Sequence, residues 1–211
     1  MPSRHPSATP PHPPDLDPSA APVGRFHAWW RGDPLPALPL IPDLHMEPTD
    51  DVRRATDLLP LPAAEVEERM RLGHQLWLAC VGGDLVAWGW NATRQFAIGE
   101  LGIARSLPPG TRYLWDFVTV PERRGRGLYP RLLQAIVASE PTVDQFWLGH
   151  DLDNTGSARG IAKAGFAEVG LLYRGDRGFA LVPTGPPERA AAAAALFGVP
   201  IAATISATRG E

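Results

Sequence analysis

Apolar and polar positions along the chain divide it into short elements of different period. Residues 1–22 hold a dense cluster of prolines and almost no large apolar side chains, which predicts a disordered leader. The following "GRFHAWWRGDPLPALPLIPDLH" has aromatics and leucines interrupted by prolines, so it is expected as an extended segment lying on a domain, neither helix nor central strand. Thr49 is placed to cap a short helix with Asp50 and Asp51 in its first turn and Pro60 at its end. A second helix runs from near Pro62 to Gly73, with Val66 and Met70 on one face. "HQLWLACV" and "DLVAWGWNAT" flank Gly82-Gly83 and predict a β-hairpin. Residues 94–110 read as a long irregular loop ending in Pro108-Pro109-Gly110. "TRYLWDFVTV" is nearly all apolar, the pattern of a strand buried on both faces.

A turn and a helix to about Ser139 come next, then a strand in "VDQFWLGH" and a helix over about 155–164 closed by Gly165. "FAEVGLLY" and "GFALVP" form a hairpin around Gly175-Asp176, and an alanine-rich helix near 188–197 precedes a tail that has no assigned structure. Strands that first pair locally and then alternate with helices imply a mixed α/β (α+β) layer architecture. The tryptophans 77, 88, 90, 115 and 147 all fall in strands, as core residues do.

Composition narrows the setting. The 211 residues are 44% hydrophobic and suffice for one core, expected over 23–183, with the alanine-rich helix and tail over 184–211. A single cysteine excludes an intramolecular disulfide and, with no signal peptide in the sequence, points to the cytoplasm. A formal net charge of −3 argues against a nucleic-acid partner, and no apolar run is long enough to span a bilayer. His45, His74 and His150 show no metal-ligand spacing, so no metal is expected.

The chemistry concentrates in "VPERRGRGLYPRLLQAIV", where three arginines and two glycines precede an apolar-periodic run. A strand entering a helix through such a turn exposes unpaired N–H groups at the positive end of the helix dipole. That makes an anion site, and each charge-assisted bond to phosphate is worth roughly 1.5–3 kcal/mol. A solvated basic turn is the alternative. The nucleotide pattern G-x-x-x-x-G-K-[ST] is missing, and G-x-G-x-x-G fails because Gly125 and Gly127 are followed by Pro130 where the third glycine would stand.

"DFVTVPERRGRGLYPRLLQAI" resembles the acyl-CoA signature of the GNAT superfamily of N-acetyltransferases: an apolar strand, a proline, then R-x-x-G-x-G/A opening a helix. Here it reads Arg124-x-x-Gly127-x-Tyr129. "NTGSARGIAKAGFAEVG" is similar to the superfamily's second signature, with Asn154 after a strand and Lys163, Gly165 and Phe166 leading into the next. The chain departs from the pattern twice. Tyr129 stands in place of Gly or Ala, and Ile161 stands where many relatives carry a tyrosine that protonates the departing thiolate.

The resemblance implies a GNAT-like sheet, mixed but mostly antiparallel, splayed between the strands at 111–120 and 143–150 and flanked by helices. It implies acetyl-CoA as co-substrate, held by Val118, Thr119, Val120, Arg124, Gly125, Arg126, Gly127, Leu128, Tyr129, Asn154 and Ser157. A primary amine, on a small molecule or a peptide, would attack the thioester directly while a backbone N–H steadies the oxyanion. The amine is protonated at neutral pH, so a general base helps.

Three side chains are candidates for the proton chemistry, each with a structural alternative. His150 ends its strand where the site opens, as a base or as a hydrogen-bonded strand end. Asp116 interrupts an apolar strand, as a functional carboxylate or as the partner of an arginine. Tyr173 on a late strand is an acid or an ordinary strand tyrosine. Glu100 lies in a loop that can face substrate. The implied function is an acyl-CoA-dependent N-acetyltransferase, open to forming a homodimer. The alternative, favoured by Ile161, is a non-catalytic acyl-CoA-binding module of the same fold.

Overall fold

The computed structural model of the chain describes residues 16, 22–175 and 178–202. Apart from Leu16 and Pro22, the expected leader over 1–22 lies outside these residues, as does the tail beyond 202.

The first element corrects the sequence expectation. Pro22–Trp30 is a strand (β1), and Leu44–Thr49 is another (β2). Between Pro22 and Pro34 the chain is free of proline, so every residue after the first keeps its N–H for a ladder. The prolines of 34–42 are confined to a strap that crosses the helices, with Gln134 Nε2 donating to the Pro36 carbonyl at 2.9 Å and Arg131 to that of Pro39. Val52–Leu58 is helical (α1), and its cap is Asp51, whose side chain accepts from Arg54 N; Thr49 instead accepts from Asp51 N. Thr49 ends β2, so it cannot also start the helix. Ala63–Arg71 (α2) buries Val66.

His74–Val81 (β3) and Asp84–Ala92 (β4) form the expected hairpin. The expected loop 94–110 contains a hairpin of its own, Gln95–Ile98 (β5) with Ile103–Ser106 (β6), whose four-residue arms are too short to show a period. Thr111–Thr119 (β7), Leu128–Ser139 (α3), Gln145–His150 (β8) and Thr155–Ala164 (α4) follow as expected. Gly165 closes α4 at φ 95°, a left-handed cap that favours glycine. Ala167–Gly175 (β9) pairs with Gly178–Pro183 (β10), and Pro187–Phe197 is the last helix (α5).

Eight strands form one sheet in the order β10-β9-β1-β8-β7-β4-β3-β2. Its neighbours are antiparallel except β7 and β8. The N-terminal strand is therefore central, wedged between β8 and β9. The pleat sends alternate residues to opposite layers. Leu114, Phe146 and Leu148 pack against Leu132, Leu133 and Ile136 of α3 and Ile161 of α4. Phe26, Tyr113 and Trp147 pack with Phe197 of α5, whose ring stacks on Phe26 at 3.9 Å between centroids. Buried side chains of this size contribute roughly 1.5–3 kcal/mol each, so both helix layers belong to the stable body of the fold.

Candidate functional site: a splayed strand pair joining two cavities

β7 and β8 pair only over Thr111↔Gln145, Arg112↔Phe146 and Tyr113↔Trp147, after which they part. Parallel ladders need in-register strands, and β7 bends away at a bulge. Trp88 faces Val118 and Trp90 faces Trp115, so Asp116 and Phe117 together oppose Gly89. Asp116 takes φ 51°, and the Phe117 ring lies over Gly89, where an added Cβ would meet it at 2.1 Å. The burial expected on both faces of this strand holds for Tyr113 and Leu114, whereas Asp116 is exposed and the residues from Phe117 to Val120 only half-buried. Past Tyr113 this edge of β7 is no longer paired with β8.

The glycine turn lies directly below. Gly125 and Gly127 have φ of 75° and 73°, and Gly127 is the N-cap of α3, with no side chain among the described residues capping the helix. Arg124 Nε donates to the Thr119 carbonyl at 3.1 Å, tying the turn to the strand. Opposite stands α4, whose own N-terminus is closed by Asn154: its Oδ1 accepts from Ser157 N at 3.0 Å. The space between the turn and α4 is a cavity of about 700 Å³ lined by Val118, Thr119, Arg123, Arg124, Gly125, Gly127, Leu128, Asn154, Ser157, Arg159 and Lys163, among others. Of the residues expected there, Arg126 and Val120 are missing. Arg126 is exposed, and Val120 packs among the residues beneath α1 and α2 while its N–H donates to Val86 O. Arg159 was not anticipated, because a cation on a helix gives no local sign of what it faces.

A second cavity, of about 830 Å³, opens on the other side of the splay. Phe117, Tyr129, Asn154 and Ser157 line both, so these four form a neck between them. Tyr129 fits there because α4 has Gly160 behind it: a Cβ would meet Tyr129 Cδ1 at 2.5 Å. Its ring also leans on Phe117, 5.2 Å between centroids. Burial holds the Tyr129 phenol well above its ordinary pKa, hence protonated. Ile161, one residue on from Gly160, is fully buried in the core and faces neither cavity.

His150, Asp116 and Glu100 all line the second cavity, and Tyr173 does not. Strand alternation turns Leu172 and Arg174 into it and Tyr173 to the opposite face, among Ala180 and Val182. Asp116 is paired with Arg69 at 2.5 Å, and Arg69 in turn binds Glu65 and lies over the Trp115 ring at 4.4 Å. The carboxylate thus anchors the bulge to α2. His150 has a partner that sequence reasoning missed: His27 of β1, 5% exposed, with Nε2 to Nε2 at 3.1 Å.

A carbonyl can only accept, so the 2.7 Å contact between His150 Nδ1 and Asp151 O puts a proton on Nδ1. Neutral His150 then offers a lone pair at Nε2, which His27 Nε2–H fills. Burial first, and then the His150 and Arg25 charges, pull the His27 pKa down to about 4 against the opposing pull of Glu168.

A mostly antiparallel sheet parting at its parallel pair, with both signature stretches bordering the gap, fixes the architecture. The sheet is the mixed, mostly antiparallel, splayed one that the sequence resemblance implies. No protein-family model matches the sequence, and no curated protein matches it. Similar solved structures include an acetyltransferase from the GNAT family from Colwellia psychrerythraea, 16% identical with a TM-score of 0.45, the match covering 71% of this chain and 54% of that one. Another is a GCN5-related N-acetyltransferase from Sphaerobacter thermophilus, 19% identical with a TM-score of 0.49, covering 71% and 50%. A third is AAC(6')-Ib in complex with parmomycin and acetyl-CoA, 17% identical with a TM-score of 0.49, covering 65% and 89%. This chain spans about half the length of the first two. Among the described residues no helix is long and apolar enough to cross a membrane.

Proposed function

We propose that the protein transfers an acyl group, most simply acetyl, from acyl-CoA to a primary amine. The observation that carries this is the pair of cavities meeting at one neck, with a glycine turn at a helix N-terminus on one side and an acid- and imidazole-bearing cleft on the other. A diphosphate fits the turn, where Gly125 and Gly127 let it approach the backbone and α3 presents its free N–H groups. The pantetheine arm then runs along β7 to the neck, and the amine enters from the second cavity.

Chemistry at the neck needs three things. An N–H at the Asp116–Phe117 bulge, where the β4 register skips, is the group to steady the oxyanion. The amine's proton goes to His150 Nε2, which exchanges its bond from His27 for one from the substrate. The departing thiolate takes the proton of Tyr129, whose phenolate is reprotonated from solvent as the product leaves. Tyr129 thereby supplies from α3 the hydroxyl that position 161 lacks. Asp116, committed to Arg69, is assigned the structural role.

Calorimetric titration with acetyl-CoA, CoA and ATP tests the coenzyme site. Binding of both CoA species without ATP is expected, and binding of neither overturns the proposal. A turnover screen over an amine panel follows. Tight acetyl-CoA binding with no turnover would instead favour a non-catalytic acyl-CoA-binding module, the reading to which Ile161 in the core lends support.

A further inference from the structure

The basic side chains of the first cavity fall into two sets. Arg123 and Arg124 belong to the turn and have local partners, Asp84 at 3.9 Å and the Thr119 carbonyl. Arg159 and Lys163 belong to α4, where a spacing of four puts them one turn apart on one face. Both are exposed, both line the cavity, and among the described residues neither has an ion pair or a side-chain hydrogen bond. Like charges at this spacing repel, so the pair is unfavourable to the helix by itself. Among the described residues no carboxylate lines this cavity, although the chain carries a formal net charge of −3. The α4 N-terminus is not the attractor, since Asn154 already fills it and both cations lie beyond the first turn.

Coenzyme A carries its negative charge at two separate places. One is the diphosphate, which suits the glycine turn. The other is a phosphomonoester on the ribose 3′ oxygen, close to dianionic at neutral pH, which needs cations of its own. We infer that Arg159 and Lys163 form a subsite for that 3′-phosphate, so that the cavity selects coenzyme A over its dephospho form. This rests on the coenzyme reading proposed above. The guanidinium can grip two phosphate oxygens at once, and the ammonium adds a point charge.

The test titrates the full chain, wild type and R159Q/K163Q, with CoA and with dephospho-CoA. Two solvent-exposed charge-assisted contacts set the expected wild-type preference for CoA at about tenfold. In the double variant the two affinities fall within about twofold of each other. Equal wild-type affinities, or a variant that keeps the preference, overturn the subsite and leave the coenzyme reading intact. Binding of neither ligand overturns both.

A second measurement needs no variant. Lys163 is the only lysine in the chain. Its modification by an amine-directed reagent, followed by peptide mass spectrometry, is slowed by saturating CoA and much less by saturating dephospho-CoA. Equal protection by the two overturns the inference.

Discussion

Consider the protein taken from pH 7 to pH 5, once with His27 intact and once as His27→Gln. His27 is 5% exposed, its Nε2 is occupied by His150, and its Nδ1 is buried with no partner among the described residues. A proton added to this ring creates an N–H with nowhere to donate, and Arg25 and His150 stand nearby. Unfolded, the imidazole takes up its proton near pH 6.5; folded, it resists until about 4. Between those values the unfolded state holds more protons, so stability falls as pH falls. The contribution is complete above pH 6.5, has lost about 2 kcal/mol by pH 5, and levels off at a loss of about 3 kcal/mol below pH 4. Glutamine takes no proton, and its amide N–H can still donate to His150. The difference between the two proteins therefore isolates His27 from the carboxylates that titrate in the same range. Urea unfolding followed by tryptophan fluorescence at pH 7, 6 and 5 measures it. Wild type is expected to lose about 2 kcal/mol more than the variant. Parallel losses in the two proteins refute the reasoning.

Other substitutions probe the remaining parts of the site. Gly127→Asp puts a carboxylate at a φ of 73° beside the proposed diphosphate position and is expected to weaken acetyl-CoA binding well over tenfold, with Arg124→Glu acting likewise. Arg126→Glu, outside the cavity lining, weakens it less; calorimetry that ranks Arg126 above Arg124 contradicts the site geometry. Gly160→Ala drives a methyl to within 2.5 Å of Tyr129 Cδ1. Overpacking of this kind costs about 1–3 kcal/mol, so both melting temperature and turnover drop. His150→Ala depresses turnover at neutral pH far more than CoA affinity; an unchanged rate and pH profile would remove His150 from the proton path.

What the sequence determined by itself was whatever depends on neighbours a few residues apart. The Gly82-Gly83 hairpin, α4 with its Gly165 cap, and the glycine turn before α3 are set by backbone freedom, capping and helical period, all local properties. The two signature stretches are local too, which is why most of the lining of the first cavity was legible in advance. Tertiary structure decided the rest. Nothing within "GRFHAWW" says that it will be wedged between β8 and β9, because strand pairing is a contact over more than a hundred residues of chain. With that strand came His27, and with it the partner of His150.

Tyr173 was misplaced for a related reason. Its strand could be read, but which of two alternating faces meets the cleft depends on register with β1 and β10. Tyr129 and Ile161 were placed by packing alone. Gly160 leaves room for a ring from α3, and the helical period then turns Ile161 into the core. The residues named the chemistry, and the register of strands far apart in the chain chose which of them meet.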